Sequence, residues 1–267
     1  MGRSGGSCRT AGKGWPLLEA PVTNRKVIEI FATAEAAGAR GAELFLAAAR
    51  EALAARGRFS VGLSGGASPI PLFRHLAENA SRAGIDWSAV DVFWVDERAV
   101  PPDHTESNFR LADELLLSKL PAPGAVIHRI AGEMPPDEAA HCYEVDLSAS
   151  FPDEEIPVFD LIFLGVGSDG HTASLFPGID RDDSTGRKVI AVYVEKFRSH
   201  RVTLTQPVLS NARHLVFLVT GAAKAGIVAE ILGESGEISY PAARVAASEN
   251  RVTWLLDSEA ADGIGHP

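Results

Sequence analysis

Apolar positions along this chain alternate between short continuous runs and longer stretches with a helical period. Residues 159–166 are almost wholly apolar without a helical period, which is typical of a strand covered on both faces in a parallel sheet. The alanine-rich stretch Ala34–Arg56 has a helical period and is followed by Gly57, which predicts a helix. Further strands are predicted at 26–31, 59–63, 91–95, 126–130, 188–194, 201–205, 215–219 and 252–256, and further helices at about 69–83, about 107–117, 137–150, 206–211 and about 221–232.

The alternation of these strands and helices predicts an α/β fold of three layers, in which a mainly parallel sheet lies between helices in a Rossmann-like arrangement. Residues 1–20 are rich in glycine and serine and lack a long apolar run, so they are expected to form a disordered N-terminal extension. The remainder, 21–267, is expected to be a single α/β domain, because no internal repeat or convincing linker interrupts it.

Composition and charge narrow the possible functions. The chain has 267 residues, 46% of them hydrophobic, which is enough for a substantial core. A net charge of -10 argues against general binding to nucleic acid or anionic membranes, and no apolar run approaches the ~20 residues of a membrane helix. Two cysteines, Cys8 and Cys142, cannot form a disulfide framework, so a reducing, cytoplasmic setting is expected.

The apolar run 159–166 leads directly into a loop that contains Asp169 and His171. In open parallel sheets ligands bind beyond the carboxyl ends of the strands, so this loop is a candidate site and His171 a candidate general base. The segment Gly165-Val-Gly-Ser-Asp-Gly170 also matches a dinucleotide-binding motif. That interpretation is disfavoured because the motif needs a long following helix, whereas Pro177-Gly178 would end one early.

A second glycine-rich loop, within Gly62-Leu-Ser-Gly-Gly66, follows the strand at 59–63. One interpretation is a nucleophile elbow, with Ser64 as the nucleophile and His171 as its base. The favoured alternative is a phosphate cradle, in which Gly65 and Gly66 let backbone N–H groups approach an anion at a helix N-terminus. A tight turn without chemistry is the third possibility.

Several charged or polar residues follow other predicted strands. Asp96-Glu-Arg98 is either a surface ion-pair group or an arginine fork that its acidic neighbours orient toward an anion. Lys224, at the start of a helix, and Arg201, at the start of a strand, could add positive charge, while Asn108 could contact sugar hydroxyls or cap a helix. No histidine has a partner at the spacing of metal ligands, so no metal is predicted.

Four motifs in this order resemble the 6-phosphogluconolactonase family, within the glucosamine-6-phosphate isomerase/6-phosphogluconolactonase superfamily. They are Leu63-Ser-Gly-Gly-Ala-Ser-Pro69, Trp94-Val-Asp-Glu-Arg-Ala-Val-Pro101 with Ser107-Asn108, Gly165-Val-Gly-Ser-Asp-Gly-His-Thr-Ala-Ser-Leu-Phe-Pro-Gly178, and Arg201-Val-Thr-Leu-Thr205 with Gly221-Ala-Ala-Lys-Ala225. The third separates the lactonases from the related aminosugar deaminases, which carry a catalytic glutamate that has no counterpart here. The chain departs from the family at Ala67, where Ser or Thr is common, and in 195–200, which lacks the usual proline.

The resemblance implies hydrolysis of 6-phospho-D-glucono-1,5-lactone to 6-phosphogluconate in the oxidative pentose phosphate pathway, without cofactor or metal. It implies that His171 is the general base and Asp169 its partner. The substrate-binding residues that it implies are Ser64, Gly65, Gly66, Asp96, Arg98, Asn108, Thr172, Arg201 and Lys224. Which of the three cations binds phosphate and which the oxyanion stays open.

The only partner expected is the phosphosugar lactone itself, and the chain is expected to be a monomer or a weak homo-oligomer. A non-enzymatic alternative is a sugar-phosphate sensor, since relatives of this fold serve as effector domains of repressors. A regulator of that kind would need a DNA-binding module, and the roughly 25 residues before the first strand are too few for a helix-turn-helix.

Overall fold

The computed structural model describes residues 26–178, 186–233 and 239–264, so the predicted extension 1–20 lies outside the described residues. The described residues contain ten strands: β1 Lys26–Phe31, β2 Phe59–Leu63, β3 Val90–Trp94, β4 Asp96–Arg98, β5 Val126–His128, β6 Leu161–Leu164, β7 Val189–Val194, β8 Ser199–Leu204, β9 His214–Val219 and β10 Arg251–Asp257. The described residues also form seven α-helices: α1 Ala34–Arg56, α2 Pro69–Asn79, α3 Asn108–Leu115, α4 Pro136–Ser150, α5 Gln206–Ser210, α6 Ala225–Leu232 and α7 Pro241–Ala246. Among these helices none has both the length and the apolar character needed to cross a bilayer.

Seven strands form one parallel sheet in the order β1-β10-β9-β6-β2-β3-β5. Its central strands β2, β6 and β9 are buried along their whole length, as expected for a sheet covered on both faces. The predicted fold class, a mainly parallel sheet flanked by helices, is confirmed. The longest predicted helix is also confirmed, since α1 has the predicted bounds and the Thr33 hydroxyl caps it by accepting from the Ala36 N–H at 3.2 Å.

A second, three-stranded antiparallel sheet, β4-β8-β7, was not predicted. The sequence placed Asp96-Glu-Arg98 in a loop, but these residues form β4, in which Asp96 pairs with Thr203 and Arg98 with Arg201. Three polar residues carry no hydrophobic alternation, so the pairing with β8, about a hundred positions later, is what makes them a strand. Helix α7 was also not predicted, and the predicted helix at 221–232 begins as a 3-10 turn over Ala222–Lys224.

The strand order of the main sheet reverses between the neighbouring strands β2 and β6. From β2 the chain continues to β3 and β5 on one side, and from β6 it continues to β9 and β10 on the other. Loops that leave neighbouring strands in opposite directions open a crevice at the carboxyl edge, which is where open α/β sheets bind ligands. The fold therefore brings the loop that begins at Ser64 together with the loop that contains His171.

Candidate active site

A cleft of about 250 Å³ lies at this crevice. Loops from the carboxyl ends of β2, β6 and β9 line it, together with β4 and β8 of the smaller sheet. Nine of the residues that the sequence indicated lie in its wall: Ser64, Gly65, Gly66, Asp96, Arg98, Asn108, His171, Arg201 and Lys224. Residues that are up to about 160 positions apart in the sequence thus form one polar, largely cationic site.

Two residues of the loop after β6 form a hydrogen-bonded pair. His171 Nδ1 lies 2.5 Å from Asp169 Oδ1, and the other oxygen, Asp169 Oδ2, accepts a hydrogen bond from Lys196 Nζ at 3.2 Å. The imidazole also stacks on the Phe176 ring, with 4.2 Å between ring centroids. With Nδ1 donating to the carboxylate, Nε2 carries the lone pair, and nothing in the described chain occupies it.

The close approach of this pair explains a glycine in the same loop. A Cβ added to Gly167 would lie 1.9 Å from His171 Nδ1 and 2.6 Å from Asp169 Oδ1. Any larger residue at this position would displace both groups. The glycine motif therefore makes room for the His–Asp pair, and not for a pyrophosphate. The chain after Gly170 continues in turns to Gly178 without the helix that a dinucleotide site requires.

The ionisation of the pair follows from its surroundings. Burial lowers the pKa of His171, and the hydrogen bond and charge of Asp169 oppose that effect without reversing it. Burial works against ionisation of Asp169 as well, but the bonds to His171 and Lys196 outweigh it and lower the Asp169 pKa to about 2. Asp169 is therefore ionised and His171 neutral at neutral pH, which is the state that a general base needs.

The loop after β2 has the shape expected of an anion cradle. A Cβ on Gly65 would lie 1.8 Å from Asn108 Oδ1, so this position needs a glycine. The N–H groups of Gly65, Gly66 and Ala67 donate to nothing in the described part of the chain, and helix α2 starts just beyond them. Free N–H groups at a helix N-terminus favour a phosphate. On the far side, Ser68 Oγ lies 3.1 Å from Thr220 Oγ1, which joins this loop to the segment that leads to Lys224.

The Ser64 side chain does not have the contacts of an activated nucleophile. Its hydroxyl donates to the Phe163 carbonyl oxygen at 2.8 Å, and its side chain is buried. His171 uses Nδ1 for Asp169 and has no hydrogen bond with Ser64. The nucleophile-elbow interpretation of this loop therefore lacks the serine–base contact on which it depends.

Two arginines stand side by side in the cleft. Arg98 on β4 and Arg201 on β8 are register partners, and the Nε groups of both are buried without a hydrogen-bond partner in the described chain. The Arg201 guanidinium lies over the Phe197 ring at 5.0 Å. Burial and the neighbouring Arg98 charge lower the pKa of Arg201. Guanidinium groups that are half-buried and form no ion pair in the described chain are suited to an anionic ligand.

The acidic neighbours of Arg98 have other roles than the predicted one of orienting its side chain. Glu97 is buried, and its carboxylate accepts the N–H groups of Asn108 and Phe109 and the Ser107 hydroxyl, so it fixes the start of α3. The Arg98 guanidinium donates instead to the Glu106 carbonyl oxygen. The prediction that the two acidic neighbours orient this side chain is therefore wrong, because neither carboxylate bonds to the guanidinium and Glu97 accepts only the backbone N–H of Arg98, at 2.8 Å.

Asp96 forms part of the floor of the cleft. Its carboxylate accepts from the Ser174 hydroxyl at 2.6 Å and from Asn108 Nδ2 at 3.3 Å. Asn108 also donates to the Asp96 carbonyl, at 2.9 Å, while its own Oδ1 is buried without a partner. The expectation that Asn108 either contacts a ligand or caps a helix is thus refined: Ser107 is the cap of α3, and Asn108 faces the cleft.

Thr172 is the one predicted substrate-binding residue that the structure keeps away from the cleft. It is fully buried, and its hydroxyl donates to the Gly165 carbonyl oxygen at 2.8 Å. It therefore holds the loop together. Three residues that were not predicted also support the site: Lys196, Ser174 and Thr220 contact Asp169, Asp96 and Ser68 and join segments that are far apart in sequence. Across the described residues no group of three or more acidic, histidine or cysteine side chains is placed to hold a metal ion.

The parallel sheet, its crevice and the basic, histidine-containing cleft define an α/β protein with a cleft suited to a small anionic ligand. Residues 32–254 match the family described as glucosamine-6-phosphate isomerases/6-phosphogluconolactonase. The chain belongs to this family, and the predicted resemblance is confirmed.

Within the family, similar proteins carry the name 6-phosphogluconolactonase. The human 6-phosphogluconolactonase is 40% identical over 240 residues, which cover 88% of this chain and 92% of that protein. The Synechocystis 6-phosphogluconolactonase is 38% identical, with 80% of this chain and 88% of that protein covered. The structure of the Trypanosoma cruzi 6-phosphogluconolactonase superposes with a TM-score of 0.81 at 25% identity, with 93% and 100% of the two chains covered.

Proposed function

We propose that this chain hydrolyses 6-phospho-D-glucono-1,5-lactone to 6-phospho-D-gluconate, the lactonase step of the oxidative pentose phosphate pathway. Its relatives of about 40% identity are 6-phosphogluconolactonases, so a hydrolase of this type is the activity that similarity supports. The observation that carries the proposal is the neutral His171, hydrogen-bonded to Asp169 and lining a cleft together with three cations. This arrangement supplies a base for water and positive charge for a phosphorylated ester.

The reaction begins when a water molecule attacks C1 of the lactone. His171 Nε2 removes a proton from this water as the new C–O bond forms, while Nδ1 remains bonded to Asp169, which stabilises the resulting imidazolium. General-base help of this kind is worth roughly 10²–10⁴-fold in rate. No covalent intermediate with the protein is needed, which agrees with the absence of a contact between Ser64 and the base.

The attack places negative charge on the former carbonyl oxygen, and collapse of this tetrahedral intermediate breaks the bond from C1 to the ring oxygen. The imidazolium of His171 returns its proton to the leaving ring oxygen, which becomes a hydroxyl, and the free histidine is restored. Positive side chains in a partly buried cleft stabilise the intermediate more strongly than they would in water. Arg98, Arg201 and Lys224 are the candidates for this task and for holding the phosphate.

We place the phosphate in the loop after β2, where the N–H groups of Gly65, Gly66 and Ala67 donate to no acceptor among the described residues. The contact between Ser68 and Thr220 brings the segment before Lys224 to the edge of the same loop. Lys224 has no ion-pair partner in the described residues and is partly desolvated, which lowers its pKa. An incoming phosphate would give it the counter-charge that it lacks.

The test is to follow acid release from freshly prepared 6-phosphogluconolactone with and without the protein, because this lactone also opens unaided. Acceleration that is lost in His171→Ala and retained in Ser64→Ala supports the general-base mechanism. Acceleration that requires Ser64, together with labelling of Ser64 by a fluorophosphonate, would instead establish a serine esterase. Binding of the product without any acceleration would contradict the proposal and identify a sensor.

The same assay on the unphosphorylated lactone tests the cationic cleft. If the phosphate provides much of the binding energy, this substrate should have a much higher KM than the phosphorylated one.

The proposed setting is the cytoplasm and the proposed assembly a monomer or weak homo-oligomer, with the lactone as the sole partner. The proposed reaction uses neither a cofactor nor a metal.

A further inference from the structure

The tip of the β7–β8 hairpin reaches across to the His171–Asp169 pair. This tip consists of a 3-10 turn over Glu195–Phe197 followed by Arg198, whose φ of 47° is left-handed. Two of its side chains point to the cleft wall, since Lys196 contacts Asp169 and the Phe197 ring lies under the Arg201 guanidinium. The tip therefore touches both the proposed base system and one of the proposed anion-binding arginines.

Lys196 and His171 bond to different oxygens of the Asp169 carboxylate. His171 Nδ1 bonds to Oδ1 at 2.5 Å, and Lys196 Nζ bonds to Oδ2 at 3.2 Å. A carboxylate bonded through one oxygen can still rotate about its side-chain torsions, whereas a donor on each oxygen fixes its plane. Because Asp169 orients the imidazole, a fixed carboxylate means a fixed Nε2.

Aromatic packing holds the tip in the position that this contact requires. The Lys196 ammonium lies 5.5 Å from the centroid of the Phe197 ring. Phe197 in turn meets Phe176 edge to face, with 6.1 Å between centroids, and Phe176 stacks on the imidazole of His171. Both residues of the tip are thus connected to His171: Lys196 through Asp169, and Phe197 through Phe176.

We infer that Lys196 is a positioning residue of the proposed lactonase, which acts on His171 through Asp169 and does not itself touch the substrate. The inference rests on the proposed function for its kinetic consequences only, since the geometry of the three side chains does not depend on the reaction. More than half of the Lys196 side chain is exposed to solvent, at 58%, so its replacement removes the contact with Asp169 without opening a cavity in the core.

The electrostatic consequence has a definite sign. The charged groups that act on His171 are Asp169 in its own loop, Asp96 on β4 and Lys224 after β9, and Lys196 reaches it through Asp169. Removing the Lys196 charge leaves the negative charge of Asp169 less compensated. The imidazolium is then stabilised, so His171 should titrate at higher pH than in the wild-type protein.

The experiment compares Lys196→Met and Lys196→Arg in the full-length protein with Lys188→Met as the matched control. The Lys188 ammonium donates to Ser148 Oγ at 3.1 Å, outside the cleft, so its loss changes the net charge equally without touching the site. Each variant is assayed for kcat and KM against pH on 6-phosphogluconolactone. In parallel, the His171 imidazole is titrated by NMR, which needs no substrate.

We expect Lys196→Met to lower kcat about tenfold with little change in KM, as for a base that is held less firmly. In this variant the acid limb of the pH–rate profile and the titration of the His171 imidazole should both move to higher pH. Lys196→Arg should restore most of the rate, and Lys188→Met should resemble the wild type. An unchanged imidazole titration in Lys196→Met would overturn the inference. A higher KM with unchanged kcat would also overturn it and would show that Lys196 contacts the substrate. If the wild-type protein does not accelerate lactone opening, the proposed function fails, while the titration still decides the role of Lys196.

Discussion

Arg98 and Arg201 lie directly opposite each other on the antiparallel strands β4 and β8. Two guanidinium groups on neighbouring strands repel each other, and burial adds to the cost of charging them, as the lowered pKa of Arg201 reflects. No acidic side chain forms an ion pair with either arginine among the described residues, although Asp96 and Glu97 lie close by in sequence. Two neighbouring cations without a carboxylate partner are suited to binding an anion.

Neutralising one member of this pair should have opposite effects on the free and the bound protein. Arg201→Met should raise the KM for 6-phosphogluconolactone about 10–100-fold, the equivalent of one lost charge-assisted hydrogen bond. The unliganded variant should unfold at the same temperature as the wild type or a higher one, because the repulsion between the arginines is gone. Thermal melts with and without 6-phosphogluconate, together with steady-state kinetics, measure both effects. A variant that is less stable without ligand would contradict this prediction and show that the contacts of Arg201, such as that with the Phe197 ring, outweigh the repulsion from Arg98.

Removing the His171 imidazole should lower turnover and leave substrate binding nearly unchanged. His171→Ala is expected to lower kcat by about 10²–10⁴-fold with little change in KM, since water would have lost its base while the phosphate contacts stay in place. In the wild type, kcat/KM should fall as pH decreases through the His171 pKa, which burial places below the ordinary imidazole value. In the variant the remaining rate should have lost this acid limb. Near-normal turnover in His171→Ala would exclude this residue as the base.

A single methyl group in the loop after β6 should disable the same pair. Gly167→Ala would put a Cβ 1.9 Å from His171 Nδ1, so the imidazole and Asp169 must move apart. We expect kcat to fall by about 10²-fold, the cost of a base misplaced by about an ångström. Gly124→Ala is the control, because a Cβ at that position meets open space. Circular dichroism should show both variants folded, and a fully active Gly167→Ala protein would contradict the close approach of Gly167 to the His171–Asp169 pair.

The main sheet could be predicted from sequence because its central strands are buried on both faces, and a continuous apolar run such as that of β6 carries this information locally. The candidate site could be predicted in part because loops that follow parallel strands meet at one edge, as Ser64 and His171 do. The smaller sheet could not, since β4 owes its existence to a partner strand and not to its own three polar residues.

The direction in which a side chain points within a loop could not be predicted from the sequence either. Thr172 and His171 are adjacent, yet one bonds to the Gly165 carbonyl inside the protein and the other faces the cleft. Lys196 lies in a segment that departs from the family pattern and meets Asp169 only after the β7–β8 hairpin has folded back. Contacts of this kind depend on tertiary structure, and no spacing rule would have found them.

A histidine far from the cleft should dominate one part of the pH dependence of stability. His214 is buried in β9, where its Nε2 lies 2.9 Å from Thr253 Oγ1. Burial, with a smaller effect of the Arg251 charge, lowers its pKa from 6.5 to about 4. The unfolded chain therefore takes up a proton at this residue at a higher pH than the folded protein does.

The sign follows from proton linkage, because stability rises with pH wherever the unfolded state binds more protons. The contribution of His214 is complete above pH 6.5, falls as the pH decreases from 6.5 to about 4, and is constant below that range. The total loss is about 3 kcal/mol, from ~1.4 kcal/mol for each pKa unit. Asp169, whose pKa is lowered to about 2, acts in a separate window, since its contribution is lost only as the pH falls from 3.8 through about 2.

Urea unfolding at a series of pH values between 4 and 7.5 measures this loss directly. His214→Gln should unfold with a smaller decrease in free energy over the range from 6.5 to 4 than the wild type, since its side chain takes up no proton in either state. The exposed His141→Gln is the control for loss of an imidazole from the surface, and the difference between each variant and the wild type removes the contributions of the other histidines. If the His214→Gln curve runs parallel to that of the wild type, the buried imidazole is not the group that destabilises the protein in mild acid.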